Sequence, residues 1–547
     1  MTFPRFSESA LTFSVALTAS ACYLAPGDFE RSADREVDRI LAEGTREALG
    51  GREESVRRPQ ETPPEESGES QEGSEAPGPR PQDSESAPGQ DPVEEPLEPV
   101  RVLSLAEALE TAVTTGRDYV TRREGLYLTA LGISGTRFDF GPRLGSTLSY
   151  VFADSEAGPI SQDASLGASA SHVLPLGGSV SASGSTASAQ SSGADTFSSG
   201  ASIRLTQPLL RGFGHEIAYE TLTQAERNLI YAIRDFELFR ERYSIVIAMD
   251  YYNLVQTKRE VENQERSLDR LTFLRRKSEA LYEVDRAENL DVVRARRDEL
   301  NSKNALIQAQ EEYEAQLDRF RIALGLPKTQ PVDVRPEDPE FIPVNFDRQS
   351  AIEVAYANRL DYLTQKDRIE DSARSLRISR NALLPSLSLD GGYNLGGSPD
   401  ASFFEQSIDD ASWNVGLSLD LPVQQLPERN AWRAAQISHN QALRSFEEFE
   451  DNLAIEIQAS LRSIARLKNS VDIQQELIVD QERALRVARI KFEAGEIPIR
   501  DVSEAEESLL GAQNSLIQSK VEYEIQRLEL LSDLGILFID EQGMFKE

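Results

Sequence analysis

YEVDRAENLDVVRA (Tyr282–Ala295) and FEAGEIPIRDVSEA (Phe492–Ala505) stand 210 residues apart and read alike. An aromatic residue leads each one (Tyr282, Phe492). Glu283 or Glu493 follows, then Asp291–Val292 or Asp501–Val502, then Ala295 or Ala505. The same offset joins Leu324–Gly325–Leu326 to Leu534–Gly535–Ile536. A fixed offset over separate motifs means that one structural unit occurs twice in the chain.

Working outward, each motif sits at the tip of a very long helical hairpin. No proline or glycine interrupts Ala218 to Leu281. At 1.5 Å per residue, a helix of that length extends about 96 Å. The chain turns near Glu283–Asn289 and returns to Gly325. Pro327–Pro343 then stops the helix. In the second unit a helix runs from about Pro427 to Lys491, Gly495 and Pro498 mark the tip, and Ile499–Leu534 returns. Phe446, Phe449, Leu453, Ile457, Ser460, Ile464, Leu467 and Val471 step by three or four, the spacing of a coiled-coil seam.

Each hairpin is preceded by a shorter helix and a region of period two. Ser104 caps a helix expected to run from Leu105 to about Thr136. Alternating strands are expected near 143–152, 165–174, 179–190 and 201–209 in the first unit, and near 386–394 and 413–421 in the second. Pro142 to Pro208 is an offset of 66, against 37 from Pro385 to Pro422. The first region therefore holds an extra hairpin, which either projects beyond the other strands or enlarges what they form; projection is the favoured expectation.

The chain has 547 residues and a net charge of −34, from 92 acidic and 58 basic side chains. Phosphate binding needs a basic footprint, so a nucleic-acid partner is excluded. Cys22 is the only cysteine, which excludes an intrachain disulfide and a cysteine-based zinc site. His172, His215 and His439 are scattered without metal-ligand spacing. Gly177–Gly178 is followed by Ser179–Val180 and not by a phosphate-binding lysine, and nothing groups a nucleophile with a base. The expectation is a non-enzyme without cofactor or metal.

At the N-terminus, Arg5 precedes an apolar run, Leu11–Ala19, and the small residues Ser20–Ala21 precede Cys22. Residues 1–21 read as an export signal. The residues before Cys22 resemble a bacterial lipobox, which implies lipidation of Cys22, although Ala19 stands where leucine is preferred. Residues 22–50 are then a lipidated N-terminal segment. Residues 51–99 hold ten prolines and fourteen acidic against four basic residues, and read as a disordered acidic linker. The folded body is expected to start near Leu103. It divides into a first repeat (103–326), a connection (327–348), a second repeat (349–537) and a C-terminal tail (538–547).

The order of helix, strands and long hairpin, taken twice, resembles the TolC family of bacterial outer membrane efflux proteins. The pieces carrying it are Leu103–Val113 (LSLAEALETAV), Gln207–Gly212 (QPLLRG), Leu384–Leu389 (LPSLSL) and Lys491–Ala505 (KFEAGEIPIRDVSEA). The resemblance spans about residues 103–537. It implies a mainly α fold with a β-barrel part, in which a homotrimer shares one barrel in the outer membrane and its long helices form a tunnel through the periplasm. It also implies a passive channel of a tripartite efflux or type I secretion system, with a periplasmic adaptor protein and an inner-membrane transporter as partners and outer membrane lipid around the barrel. A few strands cannot close a barrel alone, and lipid does not tolerate open edges, so sharing a barrel fits the physics.

The resemblance assigns roles at the second tip. Asp501 and Glu504, three apart on one helix face, occupy the positions of acidic side chains at the narrowest point. Six carboxylates from three copies would attract cations. Phe492 stands where a tyrosine is often found, and Ile497 where the best-known members have an arginine, so the usual lock between tips is absent. Asp291 is instead expected to pair with Arg500 or Arg286 of a neighbouring copy. Gly495 and Pro498 shape the turn, and Ile497, Pro498 and Ile499 are the expected adaptor-docking residues. Two other readings share parts of the pattern. A coiled-coil envelope spacer has the helices without the strands, and a surface adhesin needs no duplicated tips.

Overall fold

The structure, a computed structural model, describes residues 26–49, 100–153, 161–191, 194–284, 288–337, 339, 341–396, 411–540 and 542–546. The export signal, Cys22, the linker at 51–99 and the tip residues Asp285 and Arg286 lie outside them. The fold is mainly helical with one large antiparallel sheet.

The body does not start at Leu103. Helix α1 (Pro26–Leu49) packs onto it, with Val37, Ile40, Ala48 and Leu49 buried among Leu126, Leu229 and Ile233. Its apolar positions recur at helical spacing on one face. Gly44 lets the helix approach closely, since a Cβ there would lie 2.8 Å from Ile233 Cδ1. Tyr127 donates to Asp34 Oδ1 (2.5 Å), and Arg234 Nε donates to the Ala48 carbonyl (3.3 Å). The segment expected to be only a lipidated lead is thus, over these residues, part of the core.

After β1 (Arg101–Leu103) comes α2 (Leu105–Thr115). Its start is a reciprocal cap: Glu107 N donates to Ser104 Oγ, and Ser104 N donates to Glu107 Oε2 at 2.8 Å. That backbone bond from Ser104 is the main reason the Glu107 carboxyl is held below its usual range. The helix expected to continue to Thr136 breaks at Gly116, and α3 (Arg117–Phe140) follows. The second unit breaks in the same way at Arg359, between α7 (Arg348–Asn358) and α8 (Leu360–Asn381).

The repeated Leu-Gly motif explains both breaks. Helix α5 (Glu220–Glu283) and its return α6 (Asn289–Ala323) form the first hairpin, and α9 (Leu426–Ala494) with α10 (Ile499–Asp533) the second. Both returning helices end in a Schellman motif. Leu326 N reaches Arg321 O (3.0 Å), and Ile536 N reaches Leu531 O (3.0 Å). The motif glycines have φ of 73° (Gly325) and 68° (Gly535). Each presses its Cα on a break: a Cβ on Gly325 would run into the Thr115 carbonyl, and one on Gly535 would lie 2.9 Å from Arg359 N. The duplicated glycine is therefore a contact residue for the break as well as a helix stop.

The expected seam on α9 is buried from Leu453 through Ile457, Ile464 and Leu467 to Val471, against Ala351, Ala355, Tyr523 and Leu530. Ser460, in the same stripe, donates to Asp533 Oδ2 (2.9 Å). A parallel pair of β1 with β6 (Val332–Val334) ties the start of the first unit to its end. The C-terminal residues fold back, and Arg240 donates to the carbonyls of Ile539 (3.2 Å) and Asp540 (2.8 Å).

Candidate functional site: the strand sheet and the helical tip

Six strands form one antiparallel meander: β2 (Arg143–Ala153), β3 (Ser161–Val173), β4 (Ser179–Ser191), β5 (Ala194–Pro208), β7 (Ser386–Gly396) and β8 (Ala411–Asp420). The expectation of a projecting extra hairpin is overturned. Strands β3 and β4 pair along their whole length, between β2 and β5. Their connecting turn is strapped to the helical end of the sheet. Leu176 O accepts from Gly214 N (3.2 Å) and from Gln207 Nε2 (3.1 Å).

The register sorts the two faces. One cross-strand row runs Leu144, Ala170, Ala182, Ile203, Tyr393, Trp413. The next row, on the opposite face, runs Arg143, Ser171, Ser181, Arg204, Gly392, Asn414. Paired residues share a face and successive ones alternate. One face thus carries apolar side chains on all six strands, interrupted on β4 by Thr186 and Ser188, and the other is mostly polar. The apolar face is open in the single chain: Leu144 is 83 % exposed and Trp413 75 %. Strands β2 and β8 are edges, each paired on one side only.

At the far end, the two hairpin tips share one core. Leu274 of α5, Ala295 of α6, Leu485 and Phe492 of α9, and Ile499, Val502 and Leu509 of α10 are buried together. Glu506, 3 % exposed, joins the hairpins by charge. It accepts from Arg270 Nε (2.5 Å) and pairs with Arg489. Lys277 donates to Glu493 (2.7 Å), and that bond holds the Glu493 carboxyl below its usual range. Nothing local in the sequence marks Glu506, because Arg270 lies 236 residues away.

Comparison with known proteins follows from this geometry. Residues 351–535 match the family described as outer membrane efflux protein. The likeness to that family covers this segment of the second unit. The chain is 22 % identical over 205 residues to the cation efflux system protein CusC of Escherichia coli (strain K12), a match over 36 % of this chain and 44 % of CusC. It is 22 % identical over 191 residues to the outer membrane protein TolC of Vibrio cholerae serotype O1, over 35 % of this chain and 44 % of TolC. It thus spans less than half the length of the curated relatives it matches. The crystal structure of the outer membrane protein VceC from Vibrio cholerae superposes with a TM-score of 0.59 at 15 % identity, covering 79 % of this chain and 96 % of that one. That likeness is one of fold.

The helical tip places the expected residues as follows. Gly495 has φ 77° and closes α9 with a Schellman motif, in which Glu496 N reaches Lys491 O at 2.9 Å. Pro498 is exposed and caps α10. Phe492 is a buried core residue. Ile499 is fully buried, which removes it from an exposed docking set: it packs the tip. Ile497 is half-buried beside Val487, Ala488 and Lys491. Asp501 is half-buried in the first turn of α10, 3.4 Å from Arg500, and Glu504 is exposed. Asp291 lies 3.8 Å from Arg294 of its own helix. Within one chain Arg500 and Asp291 are not paired with each other.

Proposed function

We propose that this chain is the outer membrane channel of a tripartite efflux system and works as a homotrimer. The observation that carries the reading is the sheet with one apolar and one polar face, set at the end of two very long helical hairpins. An apolar face of that extent is suited to lipid, and its polar reverse to a water-filled bore. Open edges are not tolerated in a bilayer, so neighbouring copies must supply the pairing. The helices support the same assembly. Val293, Leu300 and Ile307 of α6 are exposed at a strict spacing of seven, and Ile473 and Val487 of α9 are exposed two heptads apart, which suits seams against neighbouring copies.

In this reading transport through the chain is passive. An inner-membrane transporter supplies energy, and a periplasmic adaptor meets the tip at Ile497 and Pro498. Asp501 and Glu504 of three copies ring the periplasmic constriction, where carboxylates favour cations. One relative is itself a cation efflux protein. Gly495 and Phe492 hold the tip's shape, and Asp291 and Arg500 link neighbouring tips. Cys22 carries a lipid anchor, with residues 51–99 as the tether.

Membrane fractionation followed by native mass spectrometry tests this. The expected result is an outer membrane protein of three-chain mass. A soluble monomer from the periplasm would overturn it and favour the spacer reading.

A further inference from the structure

We infer that the barrel wall has eighteen strands, six from each of three copies, and that residues 161–191 are part of that wall. The inference rests on the trimeric channel reading and goes beyond it. The second unit supplies two strands, β7 and β8, and the first supplies four. Without β3 and β4 each copy would give four strands, and three copies twelve.

Four observations place the extra pair in the membrane wall. First, β3 and β4 separate β2 from β5, with 11 residue pairs between β2 and β3 and 13 between β3 and β4. A transmembrane strand needs about 9–11 residues, so both are long enough to cross. Second, the apolar and polar rows continue through β3, with Leu166, Ala168 and Ala170 on one side and Ser165, Ser169 and Ser171 on the other, and through the helical-end half of β4, with Val180 and Ala182 against Ser181, Ser183 and Ser185; they lapse only over the rest of β4, from Thr186. A hairpin standing in water needs no such sorting. Third, the turn between them is bonded to the segment that leads into α5, at the helical end, so the pair spans the same height as its neighbours. Fourth, an even number of strands in a meander leaves β2 and β8 running in opposite directions. β2 of one copy can therefore meet β8 of the next as an antiparallel pair, and three such junctions close the ring.

The consequence is a wider bore. Barrel diameter grows roughly linearly with strand number, so eighteen strands give about half again the width of twelve, in the range where barrels hold an open aqueous channel. The inner face contributed by β3 and β4 is mostly serine, including Ser165, Ser169, Ser171, Ser181 and Ser183, with Asp163 adding an acidic group, so this part of the bore is polar and lined by small side chains. The size limit on cargo then lies at the helical tip and not in the membrane.

Single-cysteine variants of the full chain at Ala164 to Ser171, reconstituted in lipid nanodiscs, test the count. A water-soluble maleimide is the probe, with the parent chain as the control for Cys22. The expected pattern has period two: Ser165, Ser169 and Ser171 label several-fold faster than Leu166, Ala168 and Ala170. Ser149→Cys with Ser165→Cys, whose hydroxyls now lie 2.6 Å apart, should also cross-link within one chain on oxidation. Uniform labelling and no such cross-link, in a sample that still runs as a trimer, would overturn the eighteen-strand wall and leave the channel reading intact. Absence of the trimer would overturn both.

Discussion

Glu506 is where the two tips converge, a carboxylate buried between Arg270 and Arg489 from different hairpins. Removing one member of a buried ionic cluster leaves the others uncompensated. Glu506→Gln should lower tip stability by about 3 kcal/mol, read as an earlier thermal transition or faster proteolysis at the tip. Unchanged stability would show that the arginines are satisfied by solvent. Asp533 makes a pH-dependent case. Burial is the largest cause pushing its carboxyl up from 3.8 to about 6. Glu456 adds to that, while the Ser460 hydroxyl and Arg359 oppose it. The folded chain therefore holds this proton more tightly than the unfolded one. The contribution to stability is complete below about pH 4 and is lost as pH rises through about 6. Asp533→Asn should flatten the fall in melting temperature between about pH 4 and about pH 6.5. A fall as steep as the parent's would place the titration elsewhere. Neither residue was legible in the sequence, since each owes its burial to elements far along the chain. The place of Asp501 and Glu504 at the tip was legible through the repeated motif, and the role proposed for them rests on its likeness to a family.

At the scale of the element, the duplicated glycines do two tasks. They end a helix with positive φ, and they admit the break between two others. Gly325→Ala should therefore cost at least about 1 kcal/mol from backbone conformation alone, with the clash against Thr115 in addition. Differential scanning calorimetry checks this, and an unshifted transition would mean that the break relaxes freely. Long helices and most strands were readable because their periods run uninterrupted. The breaks at Gly116 and Arg359 were not, because helical spacing continues through them and tertiary packing decides. Helix α1 was missed because it precedes a long acidic linker and is itself rich in charge. Strands β3 and β4 were seen, but their serine-rich alternation gave no sign of which neighbours they would pair with.

For the whole molecule, duplication was the most informative reading, because it set the order of elements before any one of them was certain. The structure adds how the halves differ. The first unit carries twice as many strands as the second. The two tips close differently as well, α9 on a left-handed glycine and α5 on Val284 with φ −110°. A single chain leaves an apolar sheet face, two sheet edges and helical seams uncovered, and the proposed assembly of three copies in a membrane would cover them all. The measurement that tests this most directly is single-channel conductance of the purified trimer in a planar bilayer, beside an Asp501→Asn/Glu504→Gln variant. Small, cation-selective currents that grow and lose selectivity in the variant are expected. No current from either protein, despite a folded trimer, would contradict the channel reading.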